Sequence, residues 1–272
     1  MIDQSQSSNE TTALLNRAEL FGDGFFTTGL IQSGQFKQGR AHLERLNISA
    51  ERLSFSDYDN DALQKALKSL LDELAEKNSD ENSNDLVIRI SVMRLQAERG
   101  YSVSDKAQGR CQIILSKRPE LSNQPCELFV AKSQVSRNRT TAGIKHLNRL
   151  DSVLASMEIS HNQQEAIMLD GDRVICGSKT NLFLHINGTW MTPKLDLCGI
   201  LGITRQRVLD AFADNGIECR ESAIESNQLQ ACKAAFVTNS LIGVWAASSI
   251  DGGQLDPDYC NQIKQLISLN DE

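Results

Sequence analysis

Aromatic residues make up only 5% of this 272-residue chain, and proline and histidine occur four times each. With so few histidines, and with seven cysteines (Cys111, Cys126, Cys176, Cys198, Cys219, Cys232, Cys260) that form no CxxC pair, the sequence offers no metal-ligand cluster and no disulfide framework. A basic excess is absent too. The chain has 28 Lys and Arg against 35 Asp and Glu, a net charge of −7, which excludes the electrostatic footprint of a nucleic-acid partner. No apolar run is long enough to cross a membrane. The longest apolar region, 234–250, is interrupted by Thr238, Asn239, Ser240, Ser248 and Ser249 and reads as buried strands. Residues 1–10 have neither the basic start nor the apolar core of a secretion signal, so a cytoplasmic location with reduced, mostly buried thiols is expected.

What remains is 40% hydrophobic, enough to build the core of one or two ordinary α/β domains. Leu63, Ala66, Leu67, Leu70, Leu71 and Leu74 recur at helical spacing and predict a helix over 60–76, capped by Asn60 or Asp61. Residues 86–93 and 111–115 read as strands. Residues 119–125 contain two of the four prolines and predict a linker between an N-terminal unit, 1–118, and a C-terminal unit, 126–272. Beyond it, short strands at 166–169, 174–175, 182–186 and 189–191 are punctuated by the turns Asp170-Gly171-Asp172 and Asn187-Gly188. A helix follows Gly202 with Thr204 as its cap and closes near Gly216, and a last helix begins after Asp256-Pro257.

Three features carry chemistry. Lys145, in Gly143-Ile144-Lys145-His146-Leu147-Asn148-Arg149-Leu150, stands at the mouth of an apolar segment read as helical. Desolvation there disfavours the ammonium and leaves a nucleophile for an aldehyde cofactor or a carbonyl substrate, although a solvated lysine opening a helix fits the same pattern. Gly202-Ile203-Thr204 offers free backbone N–H groups at a positive helix end, where a phosphate would sit. Arg45, in Ala41-His42-Leu43-Glu44-Arg45-Leu46, can meet an anion.

Taken in order with Phe21-Gly22-Asp23-Gly24-Phe25-Phe26-Thr27-Thr28, Arg99-Gly100-Tyr101 and Asn181-Leu182-Phe183, these segments resemble the fold-type IV pyridoxal phosphate enzymes, and within them the lyase branch. The resemblance runs from Arg17 to about Trp245. It implies an α/β fold with a small N-terminal domain and a larger, β-rich C-terminal one, pyridoxal 5'-phosphate between them, and a homodimer. It also implies elimination of pyruvate from 4-amino-4-deoxychorismate to give 4-aminobenzoate for folate synthesis. Aminotransferases of the same fold acting on D- or branched-chain amino acids, and a catalytically silent cofactor-binding homologue, are the alternatives. By resemblance, Lys145 carries the cofactor and shuttles protons, and Arg45, Ile203, Thr204, Asn239 and Ser240 surround its phosphate. Phe26, Thr28 and Arg99 line the substrate side, Arg99 as carboxylate partner.

Some positions depart from that pattern. Where the family has a glutamate facing the pyridine nitrogen, five residues before Asn181, this chain has Cys176, and a neutral thiol holds a ring proton poorly. Elimination that ends in an aromatic ring depends less on that proton than transamination does. Asn16 replaces an acidic residue before Arg17, and the first ten residues are more polar than the usual opening strand.

Overall fold

The computed structural model describes residues 17–77, 85–95, 100–103 and 109–269; Asn16, the first ten residues and Arg99 lie outside the described residues. Its elements are α1 (Arg17–Phe21), β1 (Gly24–Gln32), β2 (Gln35–Phe36), α2 (Gly39–Arg52), α3 (Asn60–Lys77), β3 (Leu86–Arg94), β4 (Gly109–Lys117) and β5 (Cys126–Val130). There follow α4 (Leu150–Met157), β6 (Gln164–Asp170), β7 (Arg173–Gly177), β8 (Asn181–Ile186), β9 (Thr189–Pro193), α5 (Ile203–Asp214) and β10 (Cys219–Ser222). The chain continues through β11 (Ile224–Glu225), β12 (Cys232–Asn239), β13 (Gly243–Ile250), β14 (Gly253–Gln254) and α6 (Asn261–Leu269).

Two sheets lie on either side of residues 118–125. The first has order β2-β1-β3-β4 and is antiparallel throughout. One of its faces, carrying Phe25, Ile88, Ile90 and Val92, packs on Leu46 and Ala50 of α2 and on Leu63 and Leu67 of α3. The helical spacing of α3 is therefore the imprint of this contact. Its cap differs from expectation: Asp59 Oδ1 accepts from Ala62 N at 2.8 Å, so Asn60 and Asp61 already lie in the first turn.

The second sheet has ten strands, nine in the order β10-β9-β8-β12-β13-β5-β6-β7-β11, with β14 paired to β13. Parallel pairing occurs at β13–β5, β5–β6 and β9–β10. Four aromatics meet here: Phe183 and Phe236 stack with centroids 4.8 Å apart, and Trp190 and Phe212 pack against them, filling the space beneath α5 and α6. The turn at Asn187 and Gly188 has φ of 51° and 83°, as a two-residue hairpin with the twist of its strands requires. No described helix is long and apolar enough to cross a membrane. All seven cysteines are free, and only Cys111 is exposed.

Candidate active site

Lys145 is not at the start of a helix; α4 begins five residues later. The segment around it is extended because both of its neighbours supply hydrogen-bond partners. Phe26 N donates to Lys145 O at 2.9 Å and Leu147 N to Gly24 O at 2.9 Å, joining it to the first sheet. Gly143 N donates to Gly199 O at 2.9 Å and Leu201 N to Gly143 O at 3.2 Å, joining it to the loop before α5. Gly143 turns the chain into this position with φ of 84°, and a Cβ there would lie 2.9 Å from Leu201. Side chains of an extended segment alternate. Accordingly Lys145 faces one cavity, of about 580 Å³, and His146 another, of about 610 Å³.

The second cavity contains a structural ion cluster. Arg17 pairs with Asp23 at 2.7 Å and donates to the carbonyls of Gly100, Tyr101 and Ser102, while Arg94 meets Asp23 at 3.3 Å and the carbonyls of Leu53 and Ser54. This accounts for the Gly22-Asp23-Gly24 box. Asp23 ties α1 to β3, and a Cβ on Gly24 would strike the carbonyl of Val92. The cluster also fixes the backbone immediately after Arg99.

In the Lys145 cavity, the amine stands 4.6 Å from the centroid of the Phe26 ring. Burial, and then the charges of Arg45, Arg149 and Arg89, push its pKa down to about 7, so much of it is neutral near physiological pH. Arg89 was not anticipated from sequence. It stacks on the same Phe26 ring at 3.8 Å and pairs across β1–β3 with Thr28, which also lines the cavity. Arg45, on α2, donates to Leu201 O at 2.6 Å, and burial lowers its pKa to about 10. Beside it α5 starts. The cap is Gly202, not Thr204; no side chain caps the helix, and a Cβ on Gly202 would collide with Asn181 Oδ1. The first-turn N–H groups of Ile203 and Thr204 have no intrahelical acceptor. Ile203 lines the cavity, and Thr204 is buried just behind it.

Asn239 and Ser240 border the same cavity, but the Asn239 side chain is committed to its turn: Oδ1 accepts from Leu241 N and Ile242 N at 2.9 Å, and Nδ2 donates to Lys179 O. An uncapped helix end, a nearby guanidinium and the Ser240 hydroxyl suit a phosphate, and the buried Thr180 Oγ1 on the cavity wall has no hydrogen-bond partner among the described residues. These residues, with Lys145, fit pyridoxal phosphate.

Cys176 also lines the cavity. Burial pushes its thiol up to about 12, against the pull of Arg149, so it is neutral at physiological pH. Two buried acids act on it from outside the lining: Asp151, which borders the His146 cavity, and, on the neighbouring strand, the fully buried Glu165, which accepts from Ser178 N and Ser178 Oγ at 2.7 Å. The described lining contains Arg45, Lys145, Arg149 and Lys179 and no aspartate or glutamate. Sequence reading missed both Arg149 and Lys179 as parts of the site, because neither stands out until the chain is folded.

A solved 4-amino-4-deoxychorismate lyase from Pseudomonas aeruginosa superposes with a TM-score of 0.84, at 28% identity, covering 97% of this chain and 94% of that one. Among curated relatives, a D-alanine aminotransferase from Listeria innocua is 26% identical over 92% of this chain and 86% of its own length. An aminodeoxychorismate lyase from Vibrio harveyi is 27% identical over 90% of this chain and 89% of its own length. Residues 24–250 match the amino-transferase class IV family, and the chain belongs to that family of fold-type IV, pyridoxal 5'-phosphate-dependent enzymes.

Proposed function

We propose that the chain is a 4-amino-4-deoxychorismate lyase, releasing pyruvate and forming 4-aminobenzoate for folate synthesis. The observation that carries this reading is the charge of the Lys145 cavity: Arg45, Arg149 and Lys179, beside the partly neutral Lys145, and no acid among its described lining residues. The cofactor phosphate, at Arg45 and the start of α5, balances part of that charge. The remainder suits a substrate with two carboxylates. Its affinity for two negative charges would be weakened by an acid at position 176, and the neutral Cys176 avoids that repulsion.

The cofactor, when bound, stabilises the negative charge left on the amine-bearing carbon. The rest falls to the chain. Lys145, whose burial disfavours the ammonium, would remove the proton from the amine-bearing ring carbon. It then returns a proton to the departing enolpyruvyl group. Because the product ring becomes aromatic, the reaction tolerates the weak electron demand of a ring nitrogen that faces a thiol.

We further propose a homodimer. Leu150, Val153, Leu154 and Met157 form an exposed stripe along α4, and Val153 and Met157 also line the Lys145 cavity. A second copy on this stripe would close the site. Incubation of the holoenzyme with 4-amino-4-deoxychorismate, followed by 4-aminobenzoate fluorescence, tests the reaction; D-alanine with 2-oxoglutarate is the comparison. Efficient transamination without 4-aminobenzoate would overturn the lyase reading in favour of an aminotransferase. A yellow protein that turns over neither substrate would mark it as a silent homologue.

A further inference from the structure

The structure assigns Lys179 the role of binding a substrate carboxylate, making it a specificity-determining residue of the Lys145 cavity. The assignment rests on the dicarboxylate reading above and names the group that would recognise one of the two charges. It follows from the commitments of the other cations. Arg45 donates to Leu201 O and stands at the phosphate cradle, and Lys145 is the nucleophile. Arg149 donates to His146 Nε2 at 3.0 Å and to Asn148 O at 2.8 Å and lies 3.9 Å from Asp151. Lys179 is exposed at the cavity border; its side chain makes no hydrogen bond or ion pair within 4 Å among the described residues, and its charge is felt by the buried Glu165 behind the turn.

A solvated lysine at a turn would share that description if the turn were loose. This one is held from both sides. Gly177 N donates to Thr180 O at 2.8 Å, Ser178 is anchored on the buried Glu165, and the carbonyl of Lys179 accepts from Asn239 Nδ2 at 3.3 Å. Gly177 is required for this closure, since a Cβ there would collide with Thr180 Oγ1 and crowd Glu165. The backbone of Lys179 is thus preorganised at the cavity, and only the flexible stem remains to be ordered when an anion arrives. The bound anion would meet no lining carboxylate.

The test uses the pyridoxal phosphate-loaded enzyme and two non-reacting probes, 3-(carboxymethoxy)benzoate with two carboxylates and benzoate with one, followed through cofactor absorbance. The wild type should bind the dicarboxylate more tightly. K179Q should lose about tenfold to a hundredfold of that affinity, keep its affinity for benzoate and for cofactor within about twofold, and be partly rescued by K179R. An unchanged dicarboxylate affinity in K179Q, an equal loss for both probes, or a matching loss of cofactor affinity would each overturn the assignment. Lysine-dependent dicarboxylate binding in an enzyme that forms no 4-aminobenzoate would sink the lyase reading and leave Lys179 in its role.

Discussion

Replacing Lys145 by methionine in the cofactor-free protein should stabilise it, and by an amount that depends on pH. The folded pKa of about 7 lies below the ordinary value of 10.5, so the folded state binds fewer protons than the unfolded state between those two values. Stability therefore rises with pH across that window, and below pH 7 the whole cost of holding the ammonium in place is present. A difference of 3.5 units, from 10.5 to about 7, corresponds to about 5 kcal/mol at pH 6. At pH 9 the folded amine is neutral and the unfolded one still mostly charged, which leaves about 2 kcal/mol. Lys145→Met removes the charge while keeping an unbranched stem over the Phe26 ring, so its stabilising effect should shrink by about 2 to 3 kcal/mol from pH 6 to pH 9. Urea unfolding of both proteins at the two pH values, at fixed protein concentration, measures this directly. A difference between variant and wild type that does not change with pH would show that the amine is not desolvated, and the nucleophile argument would lose its physical basis.

Borohydride reduction of the holoenzyme followed by peptide mapping should place the cofactor on Lys145; label on Lys132 or Lys179 would reassign the site. Arg45→Ala should weaken cofactor binding by roughly tenfold to a hundredfold, as expected for a charge-assisted contact of about 1.5 to 3 kcal/mol. Arg99→Ala should leave cofactor affinity nearly intact and raise the substrate concentration needed for turnover; equal behaviour of the two variants would show that phosphate and carboxylate roles are wrongly divided. Cys176→Glu, assayed with cofactor bound, should raise transamination of D-alanine more than 4-aminobenzoate formation, and a gain confined to the lyase reaction would refute the aromatisation argument.

Much of the architecture is legible in the sequence because it is locally encoded. The apolar spacing of α3 and the Asn187-Gly188 turn can each be read from a few adjacent residues. Where tertiary partners decide, local reading fails. Lys145 precedes an apolar segment with helical spacing, yet Phe26 and Gly24 offer backbone partners that hold it extended. Thr204 has the chemistry of a cap, but the collision that any Cβ would make with Asn181 reserves the cap position for Gly202. In the site, Lys145, Arg45 and Ile203 can be found from motifs, and they do converge. Lys179 and the absence of an acid cannot be found that way, because a cavity's charge is a property of side chains brought together from several elements.

The double attachment of residues 143–147 ties Lys145 to β1 on one side and to the loop before α5 on the other. A hinge that parted them would have to break the bonds at Phe26, carrying the amine away from Phe26, or those at Gly143, carrying it away from the start of α5. Displacements near 1 Å suffice to cost about a hundredfold in rate, so opening by that route would dismantle the enzyme each time a ligand exchanged. The cavity border, by contrast, is built of exposed side chains of α4 and of the Lys179 turn, whose positions do not depend on the bonds that hold the lysine.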